Sequence, residues 1–266
     1  MSGLPVIGSS DPWSGGVVSP RLRCVLAPNP SPMTLDGTNT WIVGAGPYLV
    51  VDPGPDDPAH LEAIVASADG RIAHILLTHG HPDHAEGAQS LHDMTGAPVR
   101  ALDPDHVLGG EGLSASAVVS VSGAEVRVLA TPGHTSDCLS FYAVEDGAIL
   151  TGDTVLGRGT TVVAWPDGNL GDYLHSLEDL RRHAEQAGAT ALLPGHGPVL
   201  ADPVAVIDAY LAHRHARLDQ VRAAWDSGRR TPEEIVDAVY DDIPDSVRWA
   251  ALLSTRAQVA YLESCG

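Results

Sequence analysis

Residues 78–84 read THGHPDH and set three histidines and an aspartate, His79, His81, Asp83 and His84, into six positions directly after the apolar run ILL. Packing has no use for such a cluster. Imidazole nitrogens and carboxylate oxygens at ~2.0 Å are the donors zinc accepts, and manganese or iron take the same set. His79 and His81, two apart on extended backbone, can point the same way, whereas the adjacent pair Asp83 and His84 must diverge. One short loop can therefore serve two neighbouring ions. Pro82 stiffens it, and a helix expected from near Ala85 anchors its far end.

Three further apolar runs end in the same manner. VLATPG leads to His134, AILTG to Asp153 and ALLPG to His196. Ligands that share a metal must converge, and strands that end along one edge of a sheet bring their ends together. The other histidines lack this context: His60, His92, His106, His183, His213 and His215 read as surface residues, His74 precedes a strand core, and His175 belongs to a helix face. Cys24, Cys138 and Cys265 are widely spaced and odd in number, which excludes a disulfide framework; Cys138, four residues after His134, reads as a small buried hydrophobe.

The elements that must carry these side chains follow from periodicity and turn residues. Residues 1–33, rich in Pro, Gly and Ser, form a loose lead-in with one strand at RLRCVLA. NTWIVG, a Gly-Ala-Gly-Pro turn and YLVVDPG make a β-hairpin. A helix at 58–67, the strand IAHILLT, the histidine loop, a helix at 86–95 and the strand PVRAL then alternate in α/β fashion. From about 117 the pattern turns to strands: AVVSVSG, AEVRVLATPG, CLSFYAV and GAILTGD. A helix beginning at GDYLHSL and stopped by Gly188 precedes the last buried strand, ATALLPG. Helices are expected at 203–226, 231–241 and 245–263, giving an α/β catalytic domain over 1–202 and a small helical subdomain over 203–266.

Composition narrows the function. The chain has 266 residues, is 44% hydrophobic, and has no apolar run of membrane-spanning length. Its beginning, MSGLPVIGSSDPWSGG, lacks the basic start and apolar middle of a signal peptide, so a cytoplasmic location is expected. The formal charge is −19, and all 15 basic residues are arginine. Up to Asp202 there are 24 acidic residues and 8 arginines, net −16; beyond it 10 and 7, net −3. Such a surface repels phosphate backbones on average, so nucleic-acid binding requires a local basic patch.

In order and spacing, THGHPDH, TPGHT, TGD and GHG over residues 78–197 resemble the metallo-β-lactamase fold superfamily. The resemblance implies a four-layer αβ/βα sandwich with two divalent ions, zinc first and manganese or iron as alternatives, at one edge between two mixed sheets. It assigns His79, His81 and His134 to one ion, Asp83, His84 and His196 to the other, and Asp153 to both. A bridging aspartate resembles the glyoxalase II-like branch of binuclear hydrolases. The early MTLDGTNTWIVG and the tail HRHARLDQVRAAWDSGRRTPEEIVDAV resemble the group around the β-lactamase-like protein 2 of animals, with a winged-helix-like C-terminal piece and an endoribonuclease among its members.

Two ions ~3.5 to 4 Å apart acidify a bridging water to hydroxide and polarise the bond under attack. On this reading Asp83 and Asp153 are catalytic: Asp83 holds its metal and orients the nucleophile, and Asp153 sets the metal spacing. The expected substrate is a small-molecule ester, thioester or related acyl compound. The lack of lysine weakens a glutathione thioester and a β-lactam, because the resembling enzymes grip those substrates with lysine. Cleavage of single-stranded RNA is the alternative, drawing on Arg214, Arg217, Arg222, Arg229 and Arg230. Leu211, Leu218, Val221 and Trp225 form a helical stripe among these arginines, so snorkelling or internal pairing accounts for them without RNA. A non-catalytic metal-binding module is the third reading, and the complete ligand set opposes it. Weaker substrate-contact candidates are Trp165, Asn169 and Tyr173 in the loop after Asp153, with Thr135, Ser136 and the segment Thr34 to Asn39.

Overall fold

A computed structural model describes residue 8, residues 11–240 and residues 243–264. Two six-stranded sheets face each other. The first runs in sequence order through β1 (Gly16–Ser19), β2 (Leu22–Leu26), β3 (Asn39–Val43), β4 (Tyr48–Val51), β5 (Ile72–Leu76) and β6 (Val99–Arg100). The second contains β7 (Val118–Val121), β8 (Ala124–Ala130), β9 (Leu139–Ala143), β10 (Ala148–Gly152), β11 (Ala191–Pro194) and β12 (Leu200–Ala201), in the spatial order 12-11-10-9-8-7. Both sheets are mixed: β4, β5 and β6 are parallel to one another, as are β10 and β11, and all other pairs are antiparallel.

Period-two alternation sorts each central strand onto two faces, both apolar. Trp41, Val43, Leu49, Val51 and Leu76 point inward to meet Val126, Phe141, Leu150 and Leu193 of the second sheet. Their strand neighbours Ile42, Val50 and Ile75 point outward onto Leu61 and Ile64 of α1 (Pro58–Ser67) and Leu91 of α3 (Ala88–Thr95). Tyr142, Ile149 and Leu192 do the same on the other side, against Tyr173, Leu174, Leu177 and Leu180 of α4 (Leu170–Ala187). The layers are helix, sheet, sheet, helix, and each fully buried aliphatic side chain contributes about 1.5–3 kcal/mol. This is the expected αβ/βα sandwich.

Beyond β12 the regular structure is helical: α5 (Pro203–Asp226), α6 (Pro232–Val239) and α7 (Arg248–Ser264). Ile207, Tyr210 and Leu218 of α5 extend the core beneath α4, while Val221 and Ala224 at its far end pack on Ile235 of α6. Thr231 and Glu234 form a capping box that starts α6. No helix among the described residues is long and apolar enough to cross a membrane.

Several expectations need correction. The lead-in holds a two-stranded hairpin, β1 with β2, where one strand was expected, and β12 had no sequence signal because it is two residues long. The helix expected over 86–95 starts two residues later, as α3 at Ala88, and a separate four-residue turn, α2 (Pro82–Ala85), forms inside the histidine loop ahead of it. Proline at the first helical position favours that early start. His60 is not a surface residue; it is 3% exposed, with Nε2 3.0 Å from Thr40 Oγ1. His215 is exposed, whereas His92, His106, His183 and His213 are half-buried. His74 lies within β5, opposite Leu49. Cys24 and Cys138 are buried free thiols, and Cys265 lies outside the described residues.

Candidate metal centre

The parallel register of β4 and β5 sets Val51 opposite Leu76, so both strands deliver their next residues to one edge of the sandwich. Thr78 and His79 follow β5, and Asp52 follows β4. From the other sheet β10 delivers Asp153 and β11 delivers His196 to the same edge. Backbone hydrogen bonds tie the two sheets together there. Leu139 N donates to Thr78 O at 2.8 Å, and Asn39 N donates to Gly195 O at 2.7 Å.

Seven predicted side chains converge at this edge as two adjoining clusters. In one, His81 Nδ1 lies 3.0 Å from His79 Nε2 and 3.1 Å from His134 Nε2. In the other, His196 Nε2 lies 3.1 Å from His84 Nε2 and 3.2 Å from Asp83 Oδ2. Asp153 stands between them: Oδ2 is 3.7 Å from His134 Nε2, and Oδ1 is 3.4 Å from both His84 Nε2 and His196 Nε2. The His79–His81–His134 and Asp83–His84–His196 groups can each hold a metal ion. One observation tests the fit of a cation: Asp153 Oδ1 is buried and accepts no hydrogen bond from the described residues. A buried carboxylate oxygen without a donor is costly, and a cation satisfies it.

For four of the five histidines the ring nitrogen facing away from the clusters is held as well, which fixes the orientation of the imidazole. His84 Nδ1 lies 2.9 Å from Asp52 Oδ2, His134 Nδ1 donates to Val162 O at 2.8 Å, and His196 Nδ1 donates to Gly37 O at 3.3 Å. His79 Nδ1 lies 3.0 Å from Thr78 Oγ1, which in turn donates to Asp52 Oδ2 at 2.7 Å. Asp52 also accepts Thr78 N at 2.8 Å. Sequence reasoning missed Asp52; its one signal is a charged residue closing the wholly apolar strand YLVV before Pro-Gly. The segment Thr34 to Asn39 does approach the site, since Gly37 supplies the carbonyl to His196 and Asn39 Nδ2 donates to Pro194 O and Gly197 O.

The electrostatics follow from burial and these neighbours. Burial drives His79 well below the ordinary imidazole range, and the His84 charge adds to this. Burial also lowers His134. For His84 burial opposes the charge, but the Asp153 and Asp52 carboxylates outweigh it and hold the ring well above the ordinary range. Asp153 is held well below the carboxylate range because His196 and His84 outweigh its burial.

Gly195 is required by close approach. A Cβ there would lie 2.7 Å from both Asp153 Oδ1 and His84 Cε1. His81 is the exposed member of the set and opens onto a cleft of about 280 Å³ rimmed by Asp103, His106, Asp137 and Asp167. Thr135 and Ser136 line this cleft, with Thr135 Oγ1 donating to Asp137 Oδ1 at 2.5 Å.

The other substrate-contact candidates lie elsewhere. Tyr173 is a core residue: it is 0% exposed and its hydroxyl donates to Thr154 O at 2.7 Å. Asn169 is the N-cap of α4, accepting from Asp172 N at 3.1 Å. Trp165 is half exposed and, with Asn169, borders a depression against α7 rather than the metal cleft.

Residues 33–196 match the family described as the Metallo-beta-lactamase superfamily. A "Beta-lactamase-like protein 2 homolog" of Caenorhabditis elegans is 34% identical over 248 residues, spanning 88% of this chain and 81% of the relative. An "Atrochrysone carboxyl ACP thioesterase" of Aspergillus chevalieri is 35% identical over 250 residues, spanning 88% and 78%. A solved beta-lactamase domain protein from Burkholderia ambifaria shares the fold at a TM-score of 0.81 and 24% identity, covering 98% of this chain and 92% of the other. The chain belongs to the metallo-β-lactamase superfamily and is a metal-dependent hydrolase of that fold.

Proposed function

We propose that the protein hydrolyses a small-molecule acyl compound, a thioester or ester, with two divalent ions, zinc by preference. The observation that carries the two-ion reading is Asp153, whose two carboxylate oxygens face the two separate histidine clusters. His79, His81 and His134 would hold one ion, Asp83, His84 and His196 the other, and Asp153 both. Bound there, two such ions supply a water acidified to near neutrality and a Lewis acid for the oxygen of the bond under attack. The chain's own residues fix the geometry of that chemistry. Asp52, Val162 O and Gly37 O lock three of the rings, Asp83 at the mouth orients the attacking water, and the buried Asp153 keeps both halves in register.

An acyl substrate fits the surroundings better than RNA. The cleft beside His81 is rimmed by three carboxylates, Asp103, Asp137 and Asp167, which repel a phosphodiester backbone. The thioesterase among the relatives supports the same choice. The free, buried thiols of Cys24 and Cys138 suit a cytoplasmic location. The test is thiol release from an acyl thioester by the zinc-loaded protein, run beside end-labelled single-stranded RNA, with Asp153→Ala purified identically. Thioester turnover that vanishes in the variant supports the proposal. Discrete RNA cuts with no thiol release would replace it with the ribonuclease reading.

A further inference from the structure

Residues 160–164 belong to no strand or helix, yet two of them hold a ring of the metal centre. Val162 O accepts from His134 Nδ1 at 2.8 Å, and Thr161 Oγ1 lies 3.3 Å from the same nitrogen. Backbone outside any ladder takes its shape from the side chains that bond to it. Here that side chain is Arg214 of α5, which is buried and whose Nη2 donates to Thr161 O. The Thr161 carbonyl and the Val162 N–H share one planar peptide unit. Fixing the first therefore governs how the Val162 carbonyl meets His134.

The donor is itself held. Its guanidinium lies 4.9 Å from the ring centroid of the fully buried Tyr173. Tyr173 donates to Thr154 O at 2.7 Å, one residue past Asp153, and its backbone packs against Gly133, one residue before His134. One turn earlier on α5, Tyr210 Oη accepts from Leu156 N at 2.8 Å and donates to Leu156 O at 3.1 Å. Gly157 N then donates to His196 O at 2.8 Å. The segment from Asp153 to Val162 is thus pinned near its start by Tyr210 and near its end by Arg214, so loss of Arg214 frees the stretch that meets His134.

We infer that Arg214 is a positioning residue of the metal centre: through Thr161 and Val162 it sets the orientation of the His134 imidazole, and with it the affinity of the ion that His134 holds. The inference rests on the two-ion reading above. A charge-assisted bond from a planar guanidinium resists rotation, and the partner of a ligating histidine's outer nitrogen controls how that ring binds. Arg214 lies beyond residues 33–196, the part of the chain that matches the family. On this inference α5 is part of the centre and not an appendage to it.

The experiment titrates the metal-free full chain with zinc against a chromogenic chelator, and with cobalt(II) followed by its visible bands. His134→Ala identifies the ion of the first cluster as the one it loses. Arg214→Met keeps an apolar side chain there and should weaken that ion about tenfold, the low end for loss of a group behind a ligating histidine. The other ion should be unchanged, and only the cobalt bands of the His134 cluster should shift. Arg214→Lys, which retains a charged donor, should recover most of the affinity. Arg217→Met removes an arginine of the same helix that donates to Val239 O at 2.9 Å, and it should change neither ion. Where Arg214→Met does not fold, Thr161→Val removes the hydroxyl beside His134 and should weaken the same ion about threefold, the worth of one modest hydrogen bond.

Parent-like affinity for both ions in Arg214→Met overturns the inference. So does an equal loss of both ions, a loss that Arg217→Met reproduces, or a parent-like Thr161→Val beside an unfolded Arg214→Met. The two readings fail distinguishably. A parent that binds no ion sensitive to His134→Ala removes the two-ion reading and this inference together, whereas two bound ions indifferent to Arg214 remove this inference alone.

Discussion

Asp52 Oδ2 lies 2.9 Å from His84 Nδ1, with both side chains essentially buried, and the same carboxylate accepts the backbone and hydroxyl of Thr78. One aspartate at the end of β4 thus orients His84 directly and, through Thr78, His79. These two rings belong to different clusters, so Asp52 couples the halves of the centre from behind.

Asp52→Asn keeps the shape and removes the charge. It should weaken metal affinity by about 10–100-fold, as loss of a carboxylate behind a ligating histidine does elsewhere. Competition against a chromogenic chelator measures this directly. Parent-like affinity would reduce Asp52 to a structural residue.

Asp153→Ala and His81→Ala should each remove most turnover while the fold survives. His81 is exposed, and Asp153 is a polar side chain turned toward the histidine clusters, so neither belongs to a hydrophobic core. Far-ultraviolet circular dichroism and metal content per chain, taken beside the rate, check both halves of the claim. Normal activity in either variant sinks the site assignment.

Gly195→Ala introduces a methyl group 2.7 Å from Asp153 Oδ1 and His84 Cε1. Those groups must shift, at a stability cost of about 1–3 kcal/mol and with loss of metal from the cluster. Elemental analysis of the purified variant should show fewer ions per chain than the parent. A full complement and parent-like rate would mean that the edge yields more easily than close packing allows.

His213 is pushed down to about 4 from 6.5 by burial, with the Arg214 and Arg217 charges adding. Between these values the unfolded chain binds a proton that the folded chain refuses, so stability rises with pH and is lost on acidification. The buried His79 and His134 act in the same direction. Thermal melting should therefore fall as pH drops from 6.5 toward about 4, and His213→Gln should flatten that fall. An identical pH profile in the variant would remove His213 from the account.

Much of this was legible in the chain itself. The limits of α1 and α5 follow from Asp57-Pro58 and Asp202-Pro203, where an aspartate cap precedes proline at the first helical position. Gly188, in the left-handed region at φ 63°, ends α4 where the sequence says it should. Tyr173 is a core residue and not the substrate contact offered for it, as its place on one helix face with Leu174, Leu177 and Leu180 already implied, and close packing seals it there. Gly133 has no Cβ, and one there would lie 2.3 Å from Tyr173 Cα, so the start of α4 packs against the TPG turn and drives Tyr173 inward. His60 likewise looked like a surface residue on an isolated helix; only the packing of α1 on the first sheet brings it to Thr40.

By itself the sequence determined the kinds of donor and where along the chain they occur, because metal chemistry admits few residue types and strand ends are marked by a change from apolar to polar residues. Tertiary structure decided which donors share a cluster, since His79, His134, Asp153 and His196 meet only when two sheets pack face to face. It also decided the roles of Asp52 and Gly195. Orientation of a ring and closeness of a backbone are properties of neighbours in space, and those neighbours come from distant parts of the chain.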